Sequence, residues 1–187
     1  MNRIIKTALA TLAATAALAL TACEQANTCT YDESASTLSC SEKAYKTVKI
    51  GAKVWMAENM DIYIPDSSIC YGNSHSNCEA MGRLYTWNAA TNGLCPNGWT
   101  LPSQQAFKDA FGNASTADLK KEGGFNMQFA GFRYFDGKFA DKDSSASFWT
   151  SDSYDDARAY LVRATDTAIT YEHFNKSIAA SVRCIKK

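Results

Sequence analysis

The number and spacing of the cysteines constrain the fold of this chain more than any other feature. Cys23 ends an apolar N-terminal run, and six more cysteines follow it: Cys29, Cys40, Cys70, Cys78, Cys95 and Cys184. An even number of cysteines outside the cytoplasm implies three disulfides, although six cysteines can pair in many ways. Short spacing favours Cys29–Cys40 and Cys70–Cys78. Cys95 and Cys184 are then left to join the middle of the chain to its last strand.

Residues 1–22 have the pattern of a secretory signal peptide. Two basic residues, Arg3 and Lys6, precede an uncharged run that ends at Ala22. The segment Leu20–Cys23 resembles the lipobox of bacterial lipoproteins, in which the leader is cut before a cysteine that carries lipid. Two alternatives stay open. One is an ordinary signal peptide cut near Ala22, and the other is an uncleaved membrane anchor, for which the run falls short of the roughly 20 residues needed.

The leader predicts a cell-envelope protein, lipid-anchored through Cys23 to a bacterial membrane, with the outer membrane or the cell surface favoured. Each buried acyl methylene contributes about 0.8 kcal/mol, so two or three acyl chains give a firm anchor. Removing the leader leaves a net charge of −2, with no basic stripe. Nucleic acid is therefore not an expected partner. The expected partners are the membrane and either a glycan or an envelope or extracellular protein.

The chain divides into a leader (1–22), a lipidated cysteine with a spacer (23–44) and one domain (45–187). In the first half of the domain the sequence pattern predicts a β-hairpin followed by two or three helices. In the second half it predicts an antiparallel sheet of short strands, so that the domain as a whole is expected to have an α+β fold. The hairpin is expected at 47–50 and 53–56, and the helices at 81–92, 104–111 and after the capping box of Ser115. The later strands are expected at 129–135, 147–150, 159–163, 168–173 and 180–185.

Seven short sequence motifs, which we call phrases, occur in an order and at a spacing that closely resemble one family. This family is the Fibrobacter succinogenes major paralogous domain, and the resemblance covers roughly residues 46–187. The phrases are Val48–Gly51, Val54–Asn59, Gly82–Trp87, Cys95–Ser103, Gly131–Tyr134, Phe148–Ser151 and Ser181–Cys184. This family has no established biochemical function. More distantly, Gly98–Ser103 and the Arg183-Cys184 ending resemble formylglycine-generating sulfatase-modifying domains. That resemblance implies a C-type-lectin-like fold and agrees with a Cys95–Cys184 bridge.

Aromatic and polar residues in predicted loops and strand ends are the candidates for ligand binding, because sugar C–H groups bury well against aromatic rings. These candidates are Tyr71, Tyr134, Phe135, Asp136, Tyr154, Arg158, Tyr160, Tyr171 and Asn175. Ordinary packing is the alternative for each of them. Trp55, Trp87, Trp99 and Trp149 lie in the family phrases and are assigned to the core.

Catalytic and metal sites have weaker support. The formylglycine-generating enzymes use a C-terminal cysteine pair, but residues 147–182 contain no cysteine. His75 and His173 are assigned solvated or structural roles, and with no C-x-x-C motif zinc is not expected. The sugar-binding triplets of calcium-dependent lectins are also missing. Calcium remains a minor alternative at the acidic loops 141–143 and 152–156.

The sequence therefore predicts a non-catalytic binding module, most consistent with a glycan or cell-wall polysaccharide ligand. A protein-interaction or envelope-assembly role is the first alternative, and it would need a broad apolar patch in place of a groove. An enzyme of unknown type is the second alternative, and it would need a pocket that joins a perturbed acid to a nucleophile.

Replacing Cys23 by Ser should release the protein from the membrane fraction, because the acyl chains are attached to that sulfur. Fractionation followed by immunoblotting measures this directly. A mutant that stays membrane-bound and uncleaved would show that the apolar run itself is the anchor.

Overall fold

The computed structural model describes residues 29–41 and 43–187. The predicted leader and the lipidation site at Cys23 lie outside these residues and stay predictions. Within the described residues, no helix has the length and apolar character needed to cross a membrane.

Strands and short helices alternate along the described chain. The strands before the last helix are β1 (Cys29–Asp32), β2 (Thr37–Cys40), β3 (Ala44–Ile50), β4 (Lys53–Met56), β5 (Ser68–Ile69), β6 (Leu84–Tyr85) and β7 (Trp99–Thr100). The helices are α1 (His75–Met81), α2 (Trp87–Thr91), α3 (Gln104–Phe111) and α4 (Thr116–Leu119), with a 3₁₀ turn at Tyr71–Asn73. The later strands are β8 (Ala130–Arg133), β9 (Phe139–Lys142), β10 (Ser145–Ser153), β11 (Arg158–Thr165), β12 (Ile169–Asn175) and β13 (Ile185–Lys186).

Two main sheets organise these elements. The first has the order β1-β2-β3-β4-β13-β7, and the second has the order β12-β11-β10-β8-β9. A small third sheet pairs β5 with β6. The pairs are antiparallel except β10 with β8, where Ala146 lies opposite Gly131. The mixed helix-and-strand class is confirmed. The expectation of an antiparallel second sheet needs correction at that one pair.

The predicted helix 81–92 is wrong. Gly82 ends α1 with a φ of 75°, and a Cβ atom there would lie 2.7 Å from the Cβ of Asn59. The chain then forms β6, whose Tyr85 pairs with Ala180. It re-enters a helix only at Thr86, whose side chain caps α2 by accepting from the amide of Ala89. The helical spacing of apolar residues over 84–91 thus comes from a strand followed by a new helix.

Other sequence predictions are confirmed or adjusted at the level of single elements. Ser103 caps α3, and Ser115 forms a reciprocal capping box with Asp118 at α4. The described residues contain four helices where two or three were predicted. The predicted strand 180–185 is reduced to β13 and isolated bridges.

Since β2 pairs directly with β3, the predicted boundary between residues 44 and 45 falls within one sheet. The spacer role of residues 23–44 stays a prediction.

Three disulfides connect the pairs expected from spacing. Cys29–Cys40 joins directly opposed residues of β1 and β2. Cys70–Cys78 ties the start of the 3₁₀ turn to α1. Cys95–Cys184 spans 89 residues and fixes the loop before β7 to the C-terminal segment. In the loop-entropy account the short bridges contribute about 3 kcal/mol each and the long one nearer 4.7 kcal/mol.

The C-terminal segment 178–185 connects both main sheets. Its residues are almost completely buried. Ala180 exchanges backbone hydrogen bonds with Tyr85 on β6, and Ala179 does the same with Arg133 on β8. Farther along, the carbonyl of Cys184 accepts from the amide of Met56 on β4. This segment therefore satisfies backbone groups of several strands that are distant in sequence.

Arg183 lies at the centre of this segment and is fully buried. Its Nε donates to the side-chain oxygen of Asn59 at 2.7 Å, and its two terminal nitrogens donate to the carbonyl oxygens of Phe125 and Asn126. The guanidinium carbon also lies 4.3 Å from the ring centre of Phe125 and 5.4 Å from that of Phe148. Burial lowers the pKa of Arg183 to about 9, which still leaves it charged at neutral pH.

Replacing Arg183 by Ala should reduce the free energy of unfolding by roughly 3 kcal/mol or more, because it opens a cavity and leaves buried acceptors without donors. The matched control is Arg163→Ala, which removes a half-exposed ion pair with Asp141 and should cost at most about 1 kcal/mol. Urea denaturation measures both changes. Equal, small losses in the two variants would contradict the assigned role of Arg183.

Tyr85 should contribute a loss of stability as the pH rises above about 10. Burial raises the pKa of Tyr85 well above its ordinary value of 10.0, and its hydroxyl donates to the carbonyl of Ile62 at 2.8 Å. The folded protein therefore keeps a proton that the unfolded chain loses, so this contribution is complete below pH 10 and is lost above it. Burial of Arg183 acts in the opposite direction on the unfolding free energy in this range. The contribution of Tyr85 is therefore measured by comparing the wild type with Tyr85→Phe, since both proteins keep Arg183.

Between pH 10 and pH 11, the unfolding free energy of the wild type should decrease relative to that of Tyr85→Phe, whatever the variant's stability at neutral pH. Urea titrations between pH 8 and pH 11 measure the two slopes. Parallel slopes would show that Tyr85 titrates alike in the folded and unfolded states.

Candidate functional site

Strand register places several of the predicted ligand-binding residues on one face of the second sheet. Tyr160 on β11 lies opposite His173 on β12, and Arg158 lies opposite Asn175. Tyr171 lies two residues before His173, and alternate residues of a strand point to the same side. Tyr154, in the turn before β11, contacts this group. We call this surface the tyrosine face, and its members are Tyr154, Arg158, Tyr160, Tyr171, His173 and Asn175.

Ring contacts fix the outer end of the tyrosine face. The rings of Tyr154 and His173 stack with centres 3.9 Å apart and planes 14° from parallel. Tyr160 meets Tyr154 edge to face at 5.5 Å, and the guanidinium carbon of Arg158 lies 4.7 Å from the centre of the Tyr154 ring. Tyr154 is nevertheless 46 % exposed. The rings are therefore already ordered while still reaching solvent.

The turn that carries Tyr154 is held by an ion pair. A terminal nitrogen of Arg158 lies 2.6 Å from the carboxylate of Asp155. The other carboxylate oxygen of Asp155 accepts from the backbone amides of Ala157 and Arg158. The hydrogen bond from Arg158 lowers the pKa of the Asp155 carboxyl. Both side chains are exposed, so the pair serves to position the turn more than to stabilise the fold.

At its inner end the tyrosine face meets α3. The ammonium of Lys108 lies 5.0 Å from the ring centre of Tyr171, and partial burial raises the pKa of Tyr171. Val162, opposite Tyr171, belongs to the core cluster that includes Phe107 of α3. The part of this face of β11 and β12 that lies beneath α3 thus belongs to the core, and the part beyond α3 is exposed to solvent.

The other predicted ligand residues lie elsewhere. Tyr134, Phe135 and Asp136 form the β8–β9 turn, where Phe135 is 71 % exposed and Asp136 pairs with Lys138. The rings of Tyr134 and Phe174 both contact the ring of Phe132, and Phe174 lies on the side of β12 opposite the tyrosine face.

Tyr71 belongs to neither of these groups. Its ring packs against that of Phe139 at 5.0 Å. The nine predicted residues therefore fall into three groups, of which the tyrosine face holds five.

The tryptophans are mainly structural. Trp55, Trp99 and Trp149 are buried. Trp87 is partly exposed, and its indole nitrogen donates to the carbonyl of Thr150 at 2.8 Å. Together with Trp99 it lines an open cleft of about 500 Å³ beside the 95–98 loop. The ammonium of Lys176 lies 4.4 Å from the centre of a Trp87 ring, which limits access to that ring.

The acidic loops considered for calcium have protein partners. Asp141 pairs with Arg163 at 2.6 Å, and Asp152 accepts from the backbone amide of Gln104 at 2.6 Å, at the start of α3. Across residues 29–41 and 43–187, no three His, Cys, Asp or Glu side chains form a group suited to a metal ion. The geometry therefore gives calcium no additional support.

Two features were missed from the sequence. The first is the place of His173 on the tyrosine face, for which its alternation with Tyr171 in the predicted strand 168–173 is the available signal. The second is a cleft of about 360 Å³ whose lining includes Tyr63, Asp66 and Arg133. Its walls come from four segments that are distant in sequence, so no local pattern predicts it.

Comparison with known proteins bears on the first half of the chain. Residues 48–112 match the family model of the Fibrobacter succinogenes major domain. This confirms the resemblance over the first four sequence phrases, and the last three phrases lie outside the matched residues. The Fibrobacter-type match begins within β3 and ends at Gly112, directly after α3, so the tyrosine face lies outside it. Searches of curated proteins and of solved structures gave no match.

Proposed function

We propose that this chain is a cell-envelope lipoprotein that presents a non-catalytic, C-type-lectin-like domain for binding a glycan. The observation that carries the proposal is the strand register of β11 and β12, which aligns three aromatic side chains on one exposed face beside Tyr154. The predicted anchor at Cys23 would hold this domain at the membrane surface, with the tyrosine face as the binding surface.

The chemistry of the tyrosine face suits a saccharide. Aromatic rings bury the C–H groups of a sugar, while the guanidinium of Arg158 and the amide of Asn175 offer hydrogen bonds to its hydroxyls. Because Tyr154 is already stacked on His173, little side-chain entropy is lost when a ligand binds. These features support a preformed, shallow surface for part of a polysaccharide chain.

The C-type-lectin-like part of the proposal is supported by the order of the elements along the chain and by one disulfide. Along the chain, the helices come between the first strands and those of the second sheet, and Cys95–Cys184 links the segment before α3 to the residue just before β13. This arrangement is consistent with the fold implied by the distant sulfatase-modifying resemblance.

The distribution of apolar surface favours a glycan over a protein partner. The large exposed apolar side chains in the described residues are Tyr63, Tyr134, Phe135 and Tyr154. They belong to three separate places, whereas a protein-docking surface would favour one broad patch.

The carboxylates whose pKa is lowered (Asp32, Asp118, Asp136 and Asp155) are exposed and bonded to neighbours in turns or at a helix start. These observations support a binding role without catalysis.

Affinity electrophoresis of residues 24–187 on a panel of polysaccharides tests the proposal, with calcium and with chelator. We expect retention on one glycan class under both conditions, because the tyrosine face needs no metal. Tyr154→Ala should weaken that retention roughly tenfold, which corresponds to about 1.4 kcal/mol and to the loss of one aromatic contact.

Phe135→Ala is the matched control, because it removes an exposed aromatic ring outside the tyrosine face and should leave retention unchanged. No retention on any glycan, or equal losses in the two variants, would contradict the proposed site. In the first case a protein partner would become the leading explanation.

A further inference from the structure

We propose that a second site, the cleft between the β5–β6 pair and β8, binds the carboxylate-bearing sugar of an acidic saccharide. We call it the Arg133 cleft. It has a volume of about 360 Å³ and is lined by Tyr63, Asp66, Ser67, Ser68, Ile69, Leu84, Thr86, Arg133 and Ala179. The proposal goes beyond glycan binding at the tyrosine face and does not depend on it.

Arg133 supplies the positive charge of the cleft. The Nε atoms of Arg83, Arg133 and Arg163 are all buried without a hydrogen bond in the described chain. Arg83 nevertheless lies 3.3 Å from Asp61, Arg158 and Arg163 have carboxylates at 2.6 Å, and Arg183 has its buried acceptors. The side chain of Arg133, in contrast, has no hydrogen bond or ion pair within residues 29–41 and 43–187, although its Nε is buried. Its guanidinium carbon lies 6.0 Å from the ring centre of Phe139, and the guanidinium also lies beside Gly137 in the β8–β9 turn.

An unpaired, partly desolvated guanidinium is a strong site for a planar anion. The fork of N–H donors matches a carboxylate in a bidentate geometry, and such charge-assisted bonds are about twice as strong as neutral ones. Binding a carboxylate would also satisfy the buried Nε, which otherwise lacks an acceptor. The ligand group predicted by Arg133 is therefore a carboxylate.

The remaining walls indicate what accompanies that carboxylate. Asp66 is exposed in the same cleft and has no ion pair within the described chain, so its carboxylate is available to accept from ligand hydroxyls. Ser67 adds a further hydroxyl. Tyr63 is 60 % exposed, and the guanidinium of Arg83 lies 5.1 Å from its ring centre. Its ring can bury sugar C–H groups.

Together these groups select among anions. Asp66 would repel a second negative charge within the cleft, which disfavours a doubly charged phosphate group at Arg133. A hexuronic acid residue has one carboxylate for Arg133, several hydroxyls for Asp66 and Ser67, and an apolar ring face for Tyr63. The volume of the cleft is within the range of small-ligand pockets.

The test uses residues 24–187 and isothermal titration calorimetry with two probes, trigalacturonate and neutral galactotriose. We expect binding of trigalacturonate at least tenfold tighter than that of galactotriose. Arg133→Gln should weaken trigalacturonate binding at least tenfold. The matched control, Arg163→Gln, removes an arginine that already has a carboxylate partner and should leave binding unchanged. No binding of trigalacturonate, or equal binding by both arginine variants, would overturn the proposal.

Two surface variants keep the test decisive if Arg133→Gln is poorly folded. Asp66→Asn and Tyr63→Ala change exposed side chains, and each should weaken trigalacturonate binding at least threefold with an unchanged thermal midpoint. Unchanged binding in both would overturn the proposal. Tyr154→Ala separates this site from the tyrosine face: it should leave trigalacturonate binding intact. A loss in Tyr154→Ala but not in Arg133→Gln would place the uronate on the tyrosine face and overturn the assignment to the Arg133 cleft.

Discussion

Arg183 brings a positive charge into the interior, and protein groups must replace the hydration that this charge loses. The side chain of Asn59 and the carbonyl oxygens of Phe125 and Asn126 provide that replacement. These acceptors come from the loop after β4 and from the segment after α4, so one side chain joins parts of the chain that are distant in sequence. Asn59 in turn donates to the carbonyl of Met81, which connects the network to α1. The path of the C-terminal segment between the two main sheets depends on this arrangement.

The same network gives a structural reason for several of the phrases that resemble the Fibrobacter-type domain. Asn59 closes the phrase Val54–Asn59, and Gly82 opens the next one where any Cβ would collide with Asn59. At the other end of the chain, Ser181–Cys184 contributes both Arg183 and the disulfide to Cys95. These phrases therefore build the frame, while the tyrosine face and most of the Arg133 cleft belong to loops and strand surfaces around it.

Local signals in the sequence predicted local structure well and distant contacts poorly. The capping box at Ser115, the hairpin at Gly51 and the short disulfides depend on residues that are close in the chain. The helix expected over 81–92 failed because its apolar spacing fits a strand followed by a helix equally well, and the pairing partner of β6, Ala180, is remote. Alternation along β12, which extends two residues beyond the predicted strand 168–173, places Tyr171 and Asn175 on one side. It could not place Arg133 in a cleft whose opposite wall begins at Tyr63.

The central claim is that the C-terminal segment belongs to the most stable part of the fold. Native-state hydrogen exchange of the amides of Ala180, Ser181 and Cys184 tests it most directly, because these amides donate to Tyr85, Ser147 and the sulfur of Met56. We predict that they exchange only through global unfolding, with the same free energy that denaturant titration gives. Exchange through a local opening of much lower free energy, while β10 and β11 stay protected, would contradict the account.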